Sequence, residues 1–571
     1  MNYKENYQQW LKDFASDAGT MAELLSIQGN EKEIEDRFYQ DLSFGTAGMR
    51  GVLAMGTNRM NIYTVRRATQ GLADFLTQEE KQAGVVIGYD SRRMSREFAL
   101  ETALVLCANG VKAYLFDDLR PVALLSYGVR HLKAAAGIVI TASHNPPQYN
   151  GYKVYGADGA QLGPEAADAV TEKIRALSYT ASKTMEREKA LADGLLVMIG
   201  NKEVDDDYIA QVKTLSINPA LCAQYGKNLK IVYTPIHGSG NVPVRRILRE
   251  MGMTSVSVVR EQELPDPDFS TVEVPNPEFP ATLELGKKLA DQVGADAVFG
   301  TDPDCDRLGV ALREKDGSFR QLTGNQAGCL MLYYILSSKA AQGTLPANGA
   351  AVKSIVSTEL ARAICRDFGV ELFDTLTGFK FIGEKIQQFE DTGSHTFLFG
   401  FEESCGYLSG TFVRDKDGVN ASMLIAEAAT YYMTQGKTLC DVMEEIFAKY
   451  GYYLEKVTST TMAGIDGLKE MKEIMTRVRN NPPKEIGGFR VERVLDILRG
   501  TETLSDGTVR PLDYPASDVL YFSLEGGQFV CVRPSGTEPK IKLYVNVNDP
   551  AAEKAQEKLD RVAQAAALLL K

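Results

Sequence analysis

Two patterns of hydrophobic and polar positions alternate along most of this chain. Short apolar runs bounded by polar residues are typical of buried strands, and longer runs with helical spacing follow them. Strands are predicted at AGVVIGYD (83–90), KAYLF (112–116), AAAGIVI (134–140), LKIVYT (229–234), ADAVFG (295–300), AAVKSIV (350–356) and TFLFGFEES (396–404). Helices are predicted from near Tyr63, before Gly110 and around 325–340. Strands that alternate with helices indicate an α/β fold with largely parallel sheets, in which ligands bind at the carboxyl ends of strands.

The two ends of the chain differ from this pattern. Residues 1–40 predict an acidic helical extension, whereas FVCVRPSGTEPKIKLYVNV (529–547) predicts a strand before a final helix. A chain of 571 residues is too long for a single core. The repeated layout predicts a first domain over 1–205, which includes the extension, a second over 206–325, a third over 326–452 and a fourth over 453–571.

Charge and cysteine usage exclude several classes of function. The net charge is −12 and no long Lys/Arg run is present, which argues against a nucleic-acid partner. No run of 18 apolar residues predicts a membrane span, and the polar N-terminus lacks an apolar signal core. The eight cysteines occur singly without a C-x-x-C pair, which is typical of reduced thiols. We therefore expect a cytoplasmic protein.

The most informative stretch is TASHNPPQYNGYK at 141–153. It presents Ser143 at the end of a predicted strand, Pro146 and Pro147 stiffen the chain, and Lys153 brings a cation back towards the serine. A rigid, exposed serine beside a lysine suits a hydroxyl that is phosphorylated and then passes its phosphoryl group on. A lone serine turn would more often be ordinary surface, so the interpretation depends on further motifs downstream.

A second motif, TDPDCDR, places Asp302, Asp304 and Asp306 at alternate positions after a strand. In an extended segment alternate side chains share a face, so the three carboxylates are expected to converge and to need a hard cation. An EF-hand is excluded, because Arg307 stands where that loop needs glycine.

Weaker motifs supply further polar groups. RPSGTEPK at 533–540 can wrap a phosphate with hydroxyls, a glycine backbone and an arginine. GFEES at 400–404 offers carboxylates to sugar hydroxyls, and TGFK at 377–380 adds Lys380. Arg50 and the pair Arg92 and Arg93 are more cations, although surface arginines are common. GSGNVP at 238–243 lacks the last glycine of a dinucleotide fingerprint.

Taken in order, the serine, metal, glutamate and phosphate motifs resemble those of the α-D-phosphohexomutase superfamily over roughly residues 44–545. The N-terminal extension, Phe379 and the GFEES form of the sugar loop are similar to the phosphoglucomutase and phosphopentomutase-like branch. The resemblance implies four domains around a central cleft, three of them related mixed α/β domains and the last a smaller α+β domain.

The resemblance also implies an assignment of roles. Ser143 would be the phosphoserine, Lys153 would help proton transfer with His144 or Arg50 assisting, and Mg²⁺ would be held by the serine phosphate and the three aspartates. The expected contacts to a phosphorylated sugar are Arg307, Thr377, Gly378, Lys380, Glu402, Ser404, Arg533, Ser535, Gly536 and Thr537.

The implied reaction interconverts α-D-glucose 1-phosphate and glucose 6-phosphate through a glucose 1,6-bisphosphate intermediate, which also serves as primer. Phosphopentomutase, phosphomannomutase and glucose-1,6-bisphosphate synthase remain alternatives, because the sequence does not identify the sugar or the phosphoryl donor. A non-enzymatic sugar-phosphate sensor is disfavoured, since the serine, lysine, arginine and all three aspartates are present. A monomer or weak homodimer is expected.

Overall fold

The computed structural model describes residues 2–46, 48–462, 464–534 and 540–571. The chain separates into two compact units. The first comprises Met1–Met331, Asn348–Val352 and Gly378–Lys437, and the second comprises Leu332–Ala347, Lys353–Thr377 and Thr438–Lys571. Within the described residues the strands form sheets of six, five, four and eight strands. Among the helices described there, none combines the length and the apolar character needed to cross a membrane.

Three helices form the N-terminal extension: α1 Tyr3–Asp13, α2 Ala18–Ser26 and α3 Glu31–Phe38. Each is preceded by a residue, Asn2, Asp17 or Asn30, whose side chain accepts a hydrogen bond from a backbone N–H of the first turn. Their buried faces meet around Trp10 and Phe38, which pack with Phe14 and with Tyr63 of the later helix α4 (Ile62–Phe75). The predicted helical extension is confirmed.

The first sheet has the order β1-β5-β4-β2-β3-β6. The pairs among β4, β2, β3 and β6 are parallel, whereas β5 and β1 are antiparallel. Every residue of β2 and β4 is buried, which explains why both strands read as continuous apolar runs. The elements are β1 Met49–Val52, α4 Ile62–Phe75, α5 Gln78–Ala83, β2 Val85–Tyr89, α6 Ser95–Ala108, β3 Ala113–Phe116, α7 Val122–His131, β4 Ala136–Ile140, β5 Tyr149–Gly156, α8 Pro164–Arg175, α9 Arg187–Ala192 and β6 Leu196–Ile199.

The second sheet, β11-β10-β9-β7-β8, repeats this plan. Strands β8, β7 and β9 are parallel, and β10 and β11 add an antiparallel arm. The elements are α10 Asp206–Thr214, α11 Pro219–Tyr225, β7 Ile231–Thr234, α12 Asn241–Glu250, β8 Val256–Val258, α13 Glu284–Val293, β9 Ala297–Thr301, β10 Leu308–Arg313 and β11 Phe319–Gln321.

The third α/β region ends in an antiparallel pair, β14 with β15. Its helix α17 is buried along most of its length. The elements are α14 Gly324–Ala341, β12 Gly349–Ser354, α15 Leu360–Phe368, β13 Glu371–Thr375, α16 Phe379–Thr392, β14 Thr396–Glu402, β15 Gly406–Leu408, α17 Gly418–Met433 and α18 Leu439–Tyr450.

The last region is an antiparallel sheet packed on α20 and α19 around its own core. The single strand predicted over 529–547 is wrong, because this stretch contributes two antiparallel strands, β22 and β23. The elements are β16 Tyr452–Thr461, α19 Gly464–Asn480, β17 Glu485–Ile486, β18 Phe489–Asp496, β19 Thr501–Leu504, β20 Val509–Pro511, β21 Leu520–Leu524, β22 Gln528–Pro534, β23 Lys540–Asp549 and α20 Ala552–Ala567.

The predicted fold class is confirmed, with three mixed α/β regions and a smaller, strand-rich C-terminal one. The expectation of largely parallel sheets is wrong in one respect, because each α/β region carries an antiparallel arm. Three connections into these arms, β4 to β5, β9 to β10 and β14 to β15, contain a non-glycine residue with positive φ. These residues are Ser143 at 51°, Cys305 at 52° and Cys405 at 63°. Such backbone strain persists where the surrounding structure over-determines it. The domain boundaries and the central cleft stay predictions.

Candidate active site

Ser143 lies in the connection between β4 and β5, and its surroundings are polar. Its hydroxyl donates to Asp302 Oδ2 at 2.8 Å and lies 3.1 Å from His144 Nδ1. Its backbone N–H donates to Thr141 Oγ1 at 2.8 Å. The prediction of an exposed serine is wrong, since Ser143 is only 4% exposed. Ser143 and Asp302, 159 residues apart in sequence, are therefore joined by a hydrogen bond.

A buried arginine binds the backbone of the connection between β4 and β5. The Arg92 guanidinium donates to the carbonyl oxygens of Ser143 and Asn145, and to those of Pro146 at 2.9 Å and Tyr149 at 3.1 Å. Arg92 is 3% exposed, so this cation is a structural part of the site and not ordinary surface. The five N–H donors of a guanidinium suit such a cluster of carbonyls.

The three aspartates of the metal motif converge as predicted, but for a different reason. Residues 302–306 form a turn and not an extended segment, with Cys305 in the left-handed region. The turn closes because the backbone N–H groups of Asp306 and Arg307 donate to Asp302 Oδ1 at 3.1 and 3.0 Å. One oxygen from each of Asp302, Asp304 and Asp306 lies within 4.8 Å of the others.

The electrostatics of this cluster fit a hard cation. All three aspartates are at most 2% exposed. Burial and the neighbouring carboxylates raise the pKa of Asp302 well above its ordinary value. Burial would also raise the pKa of Asp304, but the Lys153 ammonium outweighs it and the pKa is lowered. Asp304 Oδ1 and Asp306 Oδ1 are buried without a hydrogen-bond partner among the described residues. Oxygen donors of this kind are what Mg²⁺ prefers.

Lys153 and Arg50 lie on paired strands beside this cluster. Lys153 Nζ, on β5, is 2.9 Å from Asp304 Oδ2 and 3.9 Å from Asp306 Oδ2. Arg50, on the adjacent strand β1, donates to Asn145 Oδ1 at 2.9 Å. The strands approach closely because Gly48 has a φ of +73° and no side chain. A Cβ atom there would lie 2.8 Å from the Cα atom of Lys153.

The sequence analysis missed a buried charge cluster at residues 414–417. Lys416 Nζ lies 3.0 Å from Asp306 Oδ2 and 3.1 Å from Asp415 Oδ1. Burial would lower the pKa of Lys416, but the two carboxylates raise it above its ordinary value. Asp415 in turn accepts from the hydroxyl of Tyr155 at 2.8 Å. This cluster could have been found in the sequence from the run RDKD at 414–417, which lies between the apolar pair FV and the apolar helix α17. A charged run that is exposed to solvent rarely has apolar segments on both sides.

The sugar motif forms a second polar group within the first unit. Glu402, the last residue of β14, is buried and its Oε1 accepts from the N–H of Gly378 at 2.7 Å. Burial raises the pKa of Glu402. Lys380 lies in the first turn of α16, and burial lowers its pKa. A cation in the first turn opposes the helix dipole unless an anion is also present. Ser404 follows Glu402 in the β14–β15 connection and is half-buried.

The remaining predicted contacts fall in different places. Arg307 lies 3.6 Å from Glu278 and 3.9 Å from Asp306. Thr377 and Arg533 belong to the second unit, where Arg533 is half-buried near the end of β22 and donates to the Tyr544 hydroxyl at 3.4 Å. Ser535, Gly536 and Thr537 lie outside the described residues.

Comparison with known proteins agrees with this arrangement. Four sequence families match the chain in order: phosphoglucomutase/phosphomannomutase α/β/α domain I over 41–181, domain II over 206–317, domain III over 323–450 and the C-terminal domain over 477–564. The chain belongs to the phosphoglucomutase/phosphomannomutase family. Members of this family are isomerases that act by phosphoryl transfer, so the predicted family and enzyme class are confirmed.

Individual relatives match over nearly the whole chain. A phosphoglucomutase of Staphylococcus aureus strain MRSA252 is 37% identical over 534 residues, which cover 93% of this chain and 94% of the relative. Among solved structures, the open form of pp63/parafusin from Paramecium has a TM-score of 0.68 at 16% identity, covering 93% of this chain and 95% of that one. A family member from Burkholderia thailandensis has a TM-score of 0.63 at 18% identity, covering 92% of this chain and 97% of that one. At these identities the two structures bear on the fold.

Proposed function

We propose that this protein interconverts α-D-glucose 1-phosphate and glucose 6-phosphate, with Ser143 as the phosphoryl carrier and glucose 1,6-bisphosphate as intermediate and primer. The observation that carries the proposal is the hydrogen bond from the Ser143 hydroxyl to Asp302, at the edge of three buried carboxylates. The phosphoglucomutase names of relatives at 37% identity favour glucose as the sugar.

Asp302, Asp304 and Asp306, together with a phosphate on Ser143, are the proposed ligands of Mg²⁺. When bound, the cation would offset the charge of the phosphoserine, which is about −1.5 to −2 at neutral pH, and would polarise the phosphoryl group. Lys153 and Lys416 flank the same carboxylates and keep the cluster from carrying three unpaired negative charges.

Two residues are proposed to handle protons. His144 Nδ1, 3.1 Å from Ser143 Oγ, is placed to protonate the serine oxygen when the phosphoryl group leaves it. It would take that proton back when the second phosphate returns. Lys153 is proposed for the attacking sugar hydroxyl, with Arg50 assisting, because its amine reaches the carboxylate edge from β5.

The sugar phosphate itself is assigned to the remaining polar groups. We propose that Glu402 and Ser404 hold ring hydroxyls, and that Arg307 and Lys380 with the backbone at Thr377 and Gly378 receive charged or polar substituents. Arg533, Ser535, Gly536 and Thr537 are proposed to bind the phosphate that does not react. The intermediate must turn over between two half-reactions, so these groups have to accept both of its orientations. We also propose a cytoplasmic location and a monomer or weak homodimer.

The test is turnover with Mg²⁺ and a trace of glucose 1,6-bisphosphate. Glucose 1-phosphate should have a higher kcat/KM than mannose 1-phosphate or ribose 1-phosphate. Ser143→Ala should abolish turnover, whereas Ser178→Ala, an exposed serine, should retain it. Arg533→Ala should mainly raise KM, since it binds a phosphate that the substrate already carries. Full activity of Ser143→Ala would refute the mechanism.

A preference for ribose 1-phosphate would instead make the protein a pentose-phosphate mutase with the same residues in the same roles. Bisphosphate formation from an external phosphoryl donor, without mutase turnover, would indicate a synthase.

A further inference from the structure

Two loops in the first unit bind the backbone of the serine and metal motifs. The loop after β2 carries Arg92, and the loop after β7 comprises residues 235–240. Both loops follow corresponding strands of the first and second sheets. Both also contact one surface stretch, residues 262–271, here called the bracing segment.

On the metal side, the contact runs through Ser239. Its backbone N–H and its hydroxyl both donate to the carbonyl oxygen of Pro303 at 2.9 Å. Pro303 stands between Asp302 and Asp304. Gly238 packs so tightly that a Cβ atom would lie 2.6 Å from the Cα atom of Pro303. The position of the aspartates therefore depends on where residues 235–240 lie.

His237 fixes that loop to the bracing segment. Ile236 and His237 both have positive φ, 46° and 61°, which marks a conformation imposed by the surroundings. His237 Nδ1 lies 2.9 Å from the Leu264 carbonyl oxygen, which can only accept, so Nδ1 carries the proton. Nε2 lies 2.8 Å from the Thr271 hydroxyl, from which it accepts in the neutral imidazole. The Thr271 hydroxyl also accepts a hydrogen bond from Gln262 Nε2 at 3.1 Å, so His237, Thr271 and Gln262 form one hydrogen-bonded series.

On the serine side, the contact runs through Phe269. This side chain is fully buried although its φ is 47°, an unusual backbone for a bulky residue. Its ring centre lies 5.0 Å from the Arg92 guanidinium carbon, within the range of a cation–π contact. The same guanidinium donates to the carbonyls of Ser143 and Asn145. The neighbouring Asp268 forms an ion pair with Arg93.

We propose that the bracing segment holds the serine and metal motifs in register, with Phe269 and His237 as positioning residues. Neither touches the reacting atoms. Phe269 acts through Arg92 on the backbone of Ser143, and His237 acts through Ser239 on the backbone between Asp302 and Asp304. Their joint effect is to keep the Ser143 hydroxyl 2.8 Å from Asp302. The catalytic consequence of this distance rests on the proposed function, whereas the effect on cation binding does not.

The experiment compares Phe269→Leu and Thr271→Val with Phe319→Leu. Phe319 is a matched control, because the Arg313 guanidinium lies 4.4 Å from its ring and neither residue belongs to the site.

Mg²⁺ affinity is measured by titration calorimetry on the full chain, and kcat, KM and Tm are measured in parallel. Thr271→Val should weaken Mg²⁺ binding about tenfold, as for other residues that orient metal ligands. Phe269→Leu should lower kcat about tenfold or more at an unchanged KM. Phe319→Leu should change neither the Mg²⁺ affinity nor kcat.

A second comparison keeps the inference falsifiable if Phe269→Leu does not fold. Ser239→Ala and Thr271→Val remove hydroxyls from the same series of contacts. The loss of Mg²⁺ affinity in the double variant should therefore be smaller than the sum of the losses in the two single variants. Simple additivity, or wild-type Mg²⁺ affinity in Thr271→Val, would overturn the bracing role whatever happens to Tm. A wild-type protein that binds Mg²⁺ but turns over no sugar phosphate would refute the proposed function, and the calorimetric comparison would still decide the inference.

Discussion

At the scale of single residues, buried charges decide the character of the site. Asp304, Lys153 and Lys416 are nearly inaccessible to solvent. Lys153 lies 2.9 Å from Asp304, and Lys416 lies 3.0 Å from Asp306, so each of the three has an oppositely charged neighbour. Burying a charge costs free energy unless it is paired, so a cluster of this kind persists only where its members compensate one another. This explains why the three carboxylates can be kept in the interior next to a serine.

Arg92 offers the sharpest test of the serine connection. Arg92→Lys keeps the charge but loses the planar fork that reaches four carbonyl oxygens. The connection should shift, and kcat should fall roughly 100-fold, the effect of a displacement of about 1 Å at a reacting group. Arg96→Lys, an exposed change on the following helix, is the control. Equal kcat values for the two variants would contradict the role of Arg92.

Asp417 should make stability depend on pH. Burial raises its pKa to about 6, although Tyr208 and the N–H groups of Val419 and Asn420 donate to it. An unfolded aspartate has a pKa of about 3.9, so the folded state holds the proton more tightly. The stabilising contribution is therefore complete below pH about 4 and is lost as the pH rises through about 6.

Asp417→Asn removes this titration. The free energy of unfolding of the variant minus that of the wild type should increase by about 2–3 kcal/mol between pH 4 and pH 7. Urea unfolding at several pH values measures it, with the exposed change Asp13→Asn as control. A difference that does not vary with pH would show that folding does not raise the pKa of Asp417.

At the scale of elements, the antiparallel arms of the sheets position the chemistry. The serine, metal and sugar motifs each follow a strand of the sheet, β4, β9 or β14, and each connects it to an antiparallel neighbour. A polar turn at the end of a buried strand brings side chains to the sheet edge without exposing the strand. The shared layout explains how residues from distant parts of the sequence occupy equivalent positions.

Gly48 tests the packing of β1 on β5. In Gly48→Ala, a Cβ atom would meet Tyr152 O at 1.9 Å, and the φ of +73° disfavours any side chain. Stability should fall by more than about 1 kcal/mol, and kcat should fall roughly 100-fold because Lys153 is displaced. Gly45→Ala in the same loop is the control, since no atom lies within 4 Å of its Cβ position. Thermal unfolding and turnover should separate the two variants, and equal values would contradict the model of a close approach.

At the scale of the whole molecule, the chain forms two compact units and buries all of its cysteines. Burial raises the pKa of Cys107 to about 11 and that of Cys222, Cys365 and Cys405 to about 12. The thiolate is the reactive form of cysteine. These thiols are therefore protected from reagents both by burial and by a raised pKa, which keeps them protonated.

Native protein at pH 8 should therefore release little colour from a thiol reagent on the time scale of mixing. The same protein in concentrated urea should react at all eight cysteines. Rapid modification of one or more thiols in the native state would show that a region around a cysteine opens readily.

The amino-acid sequence by itself determined the alternation of strands and helices, the family and most of the candidate residues. Apolar runs with strand and helix periods mark the sheets, and Ser143, Lys153 and the three aspartates follow from local motifs. Only the tertiary structure decided which of these side chains meet. The burial of Ser143, the role of Arg92 and the presence of Lys416 depend on contacts between residues far apart in the chain. The turn at 302–306 also departs from the extended segment that alternation predicted, because backbone N–H groups close it on Asp302. Periodicity records which face of an element is apolar, whereas pairing of buried charges depends on distances that only the folded chain sets.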